Sequence, residues 1–327
     1  MEPILLTTIF LSFFVTFITV PYWIKKAKFF KLVGKDVHKL DKREVAEGGG
    51  VSVLFGFAIG LLLYIAINTF YIKNTLYLKE MFAILCVLFI GSIVGIVDDL
   101  LGWKKGLSKK LRIAIVLFAA VPLMVINAGE STMLGINFGL IYPLVLIPLG
   151  IIATTTSFNC LAGYNGLEAG QGIILLSAMA YVLYLTGNAW LSIVALCMVA
   201  SLFGFYIFNK YPAKIFPGDM LTYTIGALFG ALAILGNVEK IAVFFFIPYI
   251  LEIGLKARGR LNKESFGKLN SDGSLEVPYR KIYGLEHLAI KLLKKIKPSK
   301  KVYEMDVVLL INIFQVLVIL IGLLIFL

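Results

Sequence analysis

The sequence predicts an all-α polytopic membrane protein, on three observations: its composition, its recurring apolar runs and the uneven distribution of its charges. Hydrophobic residues make up 60% of the 327 residues, more apolar surface than a water-soluble chain of this size could bury. Apolar runs of about 20 residues, the length that crosses a bilayer as a helix, recur from one end of the chain to the other. We therefore expect about ten transmembrane helices.

Ten candidate spans account for most of the length. They are residues 3–23, 51–70, 81–98, 113–128, 139–158, 169–187, 189–208, 220–236, 238–255 and 307–327. The first has no basic segment before it and no cleavage site of small residues, which favours a retained helix over a signal peptide. With so little sequence outside the spans, we expect one integral membrane domain, residues 1–327.

The basic residues predict the orientation in the membrane. Of the 31 Lys and Arg residues, all but Lys73, Lys79 and Lys240 lie in the odd-numbered loops. Positive loops stay in the cytoplasm, where they also meet anionic lipid, so both termini are predicted to lie outside. This explanation accounts for most of the net charge of +12, and we expect membrane lipid but no nucleic acid as a partner.

The last cytoplasmic loop, residues 256–304, is the only long one. Its segment "GKLNSDGSLEV", 267–277, places Asp-Gly between alternating residues, which predicts a small β-hairpin. Apolar residues then recur at helical spacing over 285–296 with lysines on the opposite face. That pattern predicts a basic amphipathic helix at the membrane surface.

Acidic residues stand at the cytoplasmic ends of predicted spans. Asp98 and Asp99 end the third span, Asp219 begins the eighth, and Asn159 ends the fifth. Adjacent carboxylates at a membrane boundary repel each other and lose hydration, a cost that a cation would offset. Carboxylate and amide oxygens suit Mg²⁺, or alternatively Mn²⁺, rather than zinc. A helix end that simply reaches water is the alternative for any one aspartate.

Basic segments on the same side could bind phosphate. In "KARGR", Arg258 and Arg260 could each grip phosphate oxygens with two hydrogen bonds, while in "GWKKGLSKK" either Lys109 or Lys110 could act as a point charge. No G-x-x-x-x-G-K-[ST] pattern is present, which argues against an ATPase.

The polar stretch "FNCLAGYNGLEAGQG", 158–172, interrupts two apolar runs. Its glycines let backbone approach a planar ligand closely, and Asn165 offers both a donor and an acceptor. Glu168 and Gln171 follow at the start of the next span, where uncompensated polar groups are costly. The stretch could bind a nucleobase, although a plain turn is the simpler alternative.

Together, "NCLAGYNGLEAGQG", "GIVDDLLGW", "FPGDMLTYTIGA" and "EGGGVSVLFG" resemble the polyprenyl-phosphate N-acetylhexosamine-1-phosphate transferase superfamily. The closest resemblance is to the eukaryotic and archaeal branch that uses UDP-N-acetylglucosamine and dolichyl phosphate. The resemblance implies transfer of a sugar-1-phosphate from the UDP-sugar to a polyprenyl phosphate with release of UMP, the first step of lipid-linked oligosaccharide synthesis. It also implies Mg²⁺ dependence and is compatible with a homodimer.

The resemblance implies roles for individual residues. Asn159 and Asp219 match the Mg²⁺ ligands, Asp98 and Asp99 the catalytic pair, and Asn165 the residue that reads uracil. The remaining matches are Asp36 and Glu47 at nucleotide-side and structural positions of the first loop, Arg258 and Arg260 at the diphosphate, and Lys109 or Lys110 as the basic residue after the aspartate pair. Glu168, in the same loop as Asn165, is a further candidate for substrate binding. Gly259 stands where the family often has a histidine, which leaves the contact to the acetyl group open.

Other functions stay open at this stage. The donor could be another UDP-N-acetylhexosamine or a cell-wall precursor, although the histidine cluster of the bacterial cell-wall branch is missing from "KARGRLNKESFGKLN". A transporter or flippase could use Asp98, Asp99, Asp219 and Glu252 as a cation pathway. A transferase of CDP-activated alcohols would cluster its aspartates on one helix pair. We expect a single displacement, with the role of Asp98 relative to Asp99 undecided.

Overall fold

A computed structural model of the chain describes residues 3–101, 106–133 and 135–327, and of Lys109 the backbone alone. Residues 102–105, the "GWKK" of the predicted phosphate-binding segment, lie outside the described residues.

Thirteen α-helices and three short strand pairs are present in this part of the chain. The helices are α1 Leu6–Phe29, α2 Gly50–Ala66, α3 Leu78–Leu101, α4 Lys109–Ala119, α5 Val121–Val125, α6 Ile147–Cys160, α7 Leu167–Leu185, α8 Ala189–Asn209, α9 Gly218–Leu235, α10 Glu239–Phe245, α11 Ile247–Arg258, α12 Leu285–Ile296 and α13 Glu304–Phe326. The antiparallel pairs are β1 Val33–Lys35 with β2 Glu44–Ala46, β3 Thr132–Met133 with β4 Ile136–Asn137, and β5 Lys268–Leu269 with β6 Leu275–Glu276. A 3₁₀ turn, Pro3–Leu5, leads into α1, while π-helical turns continue α2 over Ile67–Ile72 and precede α6 over Tyr142–Leu146.

The all-α membrane architecture predicted from the sequence is confirmed. Within the described ranges, eight helical segments are long and apolar enough to cross a membrane, and they coincide with eight of the ten predicted spans. The other two are each divided into two shorter helices, α4 with α5 and α10 with α11. Pro122 and Pro248 stand in the first turn of α5 and α11. Because proline has no N–H to donate, it favours a break at these two positions, although α1 continues through Pro21.

The last long loop contains the predicted hairpin and amphipathic helix. In the hairpin, Leu269 pairs with Leu275, and Gly273 adopts a φ of +79° in the turn between them. Helix α12 buries Leu285, Ala289 and Ile290 and turns its lysines outward. The predicted hairpin and the predicted amphipathic helix are therefore confirmed, whereas the position of α12 at the membrane surface stays a prediction.

Helix α9 lies at the centre of the bundle. Of its membrane-length segment 83% is buried, against 28% for the first span, and α2, α3 and α6 all pack against it. The contact with α3 is closest at Gly95, where an added Cβ would lie 2.2 Å from the Cα of Met220. Glycine at this position therefore lets the end of α3 approach the beginning of α9, where three of the predicted acidic residues lie.

Replacing Gly95 by alanine should separate these two helices. The added methyl group overlaps backbone atoms, so we expect Gly95→Ala to reduce the free energy of unfolding by about 1–3 kcal/mol. Gly91→Ala, one turn earlier, is the matched control, because its Cβ would meet Ala227 at an ordinary 3.8 Å. Thermal unfolding in detergent, followed by circular dichroism, measures both variants. Equal melting temperatures for the two would contradict the close contact.

Candidate active site

The carboxylate of Asp99, in the last turn of α3, joins α3 to the first turn of α9. It accepts hydrogen bonds from the backbone N–H groups of Asp219 at 2.8 Å and Met220 at 3.4 Å. The first N–H groups of a helix have no partner within the helix, so an acidic side chain there satisfies them. Gly218 permits the contact: its φ is +71°, and a Cβ would lie 2.3 Å from Oδ2 of Asp99.

Its neighbour Asp98 is buried and paired with a base. Oδ1 of Asp98 accepts the N–H of Leu107 at 2.5 Å, and Oδ2 lies 2.8 Å from Nε of Arg112. The guanidinium also reaches towards α9, with Nη1 3.8 Å from Oδ2 of Asp219. Arg112 therefore offsets part of the negative charge that these two acids bring together.

Sequence reasoning overlooked Arg112 in favour of Lys109 or Lys110. A signal was available, because α4 begins after Ser108 and residues 112, 116 and 119 share one helical face. Val116 and Ala119 on that face are fully buried. Lys110 is exposed, and the role of the two lysines stays a prediction, with the side chain of Lys109 outside the description.

Asp219 and Asn159 offer oxygen atoms to a cation at the junction of α9 and α6. The Asp219 side chain keeps 35% of its surface exposed, and Asn159 is hydrogen-bonded to it. The hydroxyl of Thr222 donates to Oδ1 of Asn159 at 3.0 Å. The side chain of Asp98, in contrast, is only 4% exposed. Asp219 is thus far more accessible to solvent than Asp98.

These residues suit Mg²⁺ better than they suit a metal that is coordinated by protein ligands alone. Among the described residues, no group of three or more His, Cys, Asp or Glu is arranged to hold a metal. Mg²⁺ usually takes one or two carboxylates and completes its shell with water and substrate phosphates. The accessible carboxylate of Asp219 and the amide oxygen of Asn159 would supply such a partial set of ligands.

Glu47 faces the same cluster from the other side. It follows β2, and its carbonyl accepts the indole N–H of Trp23 at 2.9 Å. The neighbouring residue Ala46 bridges to Ile215, just before α9. Burial, and then the negative charge of Asp219, raise the pKa of Glu47 above its ordinary value. The structure therefore brings five predicted residues together: Glu47, Asp98, Asp99, Asn159 and Asp219.

Asn165 belongs to a separate network that sequence reasoning found only in part. Its backbone N–H donates to Glu304 at 2.7 Å, and its side-chain amide donates to Asp36 at 3.1 Å. Glu304, which begins α13, also pairs with Lys39 at 2.5 Å. Because ionised carboxylates only accept hydrogen bonds, the amide nitrogen of Asn165 must face them. Oδ1 is left as the acceptor of this side chain.

Glu168 holds the loop that carries Asn165. Its carboxylate accepts the N–H of Gly163 at 2.7 Å, and the side chain is buried. Gly163 and Gly166 adopt φ values of +108° and +81°, a region that favours glycine. The contact supports a role in shaping the loop, and binding of substrate by Glu168 stays a prediction.

Arg258 and Arg260 are exposed at the end of α11, and in the described part of the chain no ion pair joins them to the acids. Their placement depends on Lys256, a residue that the sequence analysis did not single out. Its ammonium group donates to the carbonyl of Cys160, which directly follows Asn159. The two arginines therefore leave α11 close to the end of α6, and their contact with phosphate stays a prediction.

Comparison with known proteins identifies the same region. Residues 81–237, from α3 to the end of α9, match the model of glycosyl transferase family 4. A protein of Saccharolobus solfataricus, provisionally named UDP-N-acetylglucosamine–dolichyl-phosphate N-acetylglucosaminephosphotransferase, is 38% identical over 297 residues, which cover 88% of each chain. A protein of Sulfolobus acidocaldarius with the same provisional name is 33% identical and covers 83% of each chain.

A more distant relative belongs to the cell-wall branch. The phospho-N-acetylmuramoyl-pentapeptide-transferase of Streptococcus pyogenes is 30% identical over 258 residues, which cover 74% of this chain and 76% of the relative. Both kinds of relative are transferases by name.

Removing the Asp99 carboxylate should weaken the start of α9. Asp99→Ala leaves two N–H groups without their acceptor, and we expect a loss of about 0.5–2 kcal/mol in the free energy of unfolding. Asp41→Ala is the control, because Asp41 is exposed in a surface loop. Urea unfolding followed by tryptophan fluorescence compares them. If Asp99→Ala unfolds at the same urea concentration as Asp41→Ala, Asp99 does not support α9.

Proposed function

Because the chain belongs to glycosyl transferase family 4, we propose that it transfers N-acetylglucosamine-1-phosphate from UDP-N-acetylglucosamine to a polyprenyl phosphate of the dolichyl type, releasing UMP. The product would begin a lipid-linked oligosaccharide for glycosylation. The observation that carries this proposal is the junction of α3, α6 and α9, where Asp98, Asp99, Asn159 and Asp219 meet within the region that matches the family. The high identity with two relatives provisionally named for this reaction supports the choice of donor and acceptor.

We propose Mg²⁺, with Mn²⁺ as the alternative, as the cofactor, held by Asp219 and Asn159. When bound, the cation would neutralise charge on the phosphate oxygens of the donor. Asp219 is accessible and its partner Asn159 is a neutral oxygen ligand, which supports this choice. Arg112, at 3.8 Å from Asp219, adds positive charge on the protein side.

The acceptor phosphate would attack the β-phosphorus of the UDP-sugar directly. Its second pKa is about 6, so it is largely ionised at neutral pH and needs no strong base. A new P–O bond forms from the lipid phosphate oxygen, and the bond to the α-phosphate oxygen breaks, with UMP leaving with the electron pair. The donors that occupy Asp98 and Asp99 argue against either carboxylate as the nucleophile.

The uracil ring would be recognised by Asn165. With the amide nitrogen facing Asp36 and Glu304, the remaining Oδ1 can accept the N3–H that uracil carries. Cytosine carries a hydrogen-bond acceptor at that ring position. It would face Oδ1 of Asn165, which is also an acceptor, and no hydrogen bond could form. The fixed amide therefore supports a preference for uridine over cytidine nucleotides.

We place the site on the cytoplasmic face, with both termini outside and the polyprenyl chain in the bilayer beside the end of α3. The excess of Lys and Arg in the odd loops supports this orientation. Asp98, Asp99 and Asp219 lie at helix ends on that side, an arrangement that favours a transferase over the transporter alternative. A soluble nucleotide donor would meet a membrane-bound acceptor at such a boundary.

Activity with a defined set of substrates tests the proposal. Purified protein in detergent, with Mg²⁺ and dolichyl phosphate, should release UMP and form lipid-linked sugar from UDP-N-acetylglucosamine. Asp219→Asn should reduce turnover by about 100-fold or more, because it removes the charged ligand that would hold the cation at the phosphate oxygens. Glu239→Gln, at the start of α10, is a control outside the site. No product from any UDP-N-acetylhexosamine, with folded protein, would contradict the function.

Changing Asn165 should affect the nucleotide alone. Asn165→Asp places a third carboxylate beside Asp36 and Glu304 and removes the fixed amide, so we expect KM for UDP-N-acetylglucosamine to rise by about tenfold or more. KM for dolichyl phosphate should stay within about twofold of the wild type. Steady-state kinetics with each substrate varied in turn measures both constants. If both KM values rise in parallel, or if neither KM value changes, Asn165 does not recognise the base.

A further inference from the structure

Three buried carboxyl groups and one ammonium group lie behind the loop that carries Asn165. Glu252 on α11 and Glu286 on α12 are fully buried, and Glu168 on α7 is 4% exposed. Lys256 on α11 is the base among them, with Nζ 3.3 Å from Oε1 of Glu252. The side chain of Lys256 is 16% exposed, so all four groups are turned inward.

Lys256 also binds the last carbonyl of α6. Its ammonium group donates to the carbonyl oxygen of Cys160, which would otherwise have no partner at the helix end. A positive charge at a helix C-terminus is favourable as well. Asn159, proposed to hold the cation, is the residue directly before Cys160. Arg258 follows Lys256 by two residues on the same helix.

The carboxyl groups hold Lys256 in place and connect it to α12. The second oxygen of Glu252 accepts the N–H of Leu285 at 2.6 Å, so one carboxylate serves both the lysine and the start of α12. Glu286 faces Glu252 across Gly284, where a Cβ would lie 2.7 Å from Oε2 of Glu286 and 3.1 Å from Oε1 of Glu252. Neither oxygen of Glu286 has a well-aligned hydrogen-bond partner among the described residues.

We propose that Lys256 is a positioning residue of the transfer site: held by Glu252, it fixes the end of α6 to α11 and so sets the position of Asn159 relative to Arg258 and Arg260. The inference rests on the proposed function. It assigns to α11 a role that substrate contacts alone would not reveal. Two of the three N–H groups of the ammonium group face protein acceptors, the carbonyl of Cys160 and the carboxylate of Glu252.

The two glutamates have different tasks in this arrangement. Burial, and then the charge of Glu252, raise the pKa of Glu286 well above its ordinary value. Glu252 contacts Lys256 and the start of α12, whereas neither oxygen of Glu286 has a well-aligned hydrogen-bond partner among the described residues. An amide at position 286 therefore breaks no ion pair or hydrogen bond of Lys256 that the structure shows, whereas an amide at position 252 removes the charge that faces it.

Binding of UMP and Mg²⁺ tests the proposal without relying on turnover. We expect Lys256→Met to weaken Mg²⁺-dependent binding of UMP by about tenfold or more in calorimetry, the size of effect seen when a group supporting a metal ligand is removed. Lys256→Arg should recover part of the affinity, since it keeps the charge and a donor. Lys291→Met, at an exposed lysine on α12, should bind like the wild type.

Variants of the two glutamates show whether Lys256 positions the site or only fills space in the protein interior. Glu252→Gln should weaken binding like Lys256→Met, whereas Glu286→Gln should bind like the wild type. If all four variants at Lys256, Glu252 and Glu286 bind UMP and Mg²⁺ as tightly as the wild type, or if the two glutamine variants behave alike, the positioning role is wrong. Should wild-type protein neither bind UMP nor form lipid-linked sugar, it is the proposed function that fails, and this inference fails with it.

Discussion

The carboxylate of Asp99 bound to the first N–H groups of α9 is the interaction on which the site depends. Helix α9 is the most buried span, and its first turn carries Asp219. The hydrogen bonds from Asp99 fix that turn against the end of α3, and the glycine at 218 allows the approach. Because Asn159 reaches the same point from α6, three separate helices end at one place on one side of the bundle.

Charge compensation is the second constraint on this arrangement. Unpaired charges away from water are costly, and removing one partner of a buried pair leaves the other uncompensated. Arg112 lies between Asp98 and Asp219, Lys39 pairs with Glu304, and Lys256 pairs with Glu252. Arg112 and Lys39 thereby tie together elements that are distant in sequence, and Lys256 does so through its contact with the carbonyl of Cys160. The same contacts that lower the cost of burying the acids therefore hold the helix ends in register.

Much of this could be predicted from the sequence because it depends on local patterns. Apolar run length predicted the spans, Asp272-Gly273 predicted the hairpin, and helical periodicity predicted α12. The acids were found because carboxylates are conspicuous at span ends. What the sequence could not supply were pairings across the bundle, such as Glu304 with Asn165 or Lys256 with the end of α6. These depend on which helices are neighbours, and no local pattern encodes that.

Two further features depend on local physics. Pro122 and Pro248 lie inside predicted spans, and the missing N–H of proline favours the helix break before each. Arg112 shares a helical face with the buried residues Val116 and Ala119, which distinguishes it from the lysines just before it. In both cases the determining quantity is backbone hydrogen bonding or helical phase rather than composition.

The most direct test is the position of the cation. Crystals grown with Mn²⁺ and UDP-N-acetylglucosamine, measured at the manganese absorption edge, locate the metal by its anomalous scattering. The account predicts one peak about 2.1–2.2 Å from an oxygen of Asp219 and from Oδ1 of Asn159, a distance typical of hard cations and oxygen ligands. A peak bound by Asp98 and Asp99 instead, with Asp219 and Asn159 away from the metal, would contradict it.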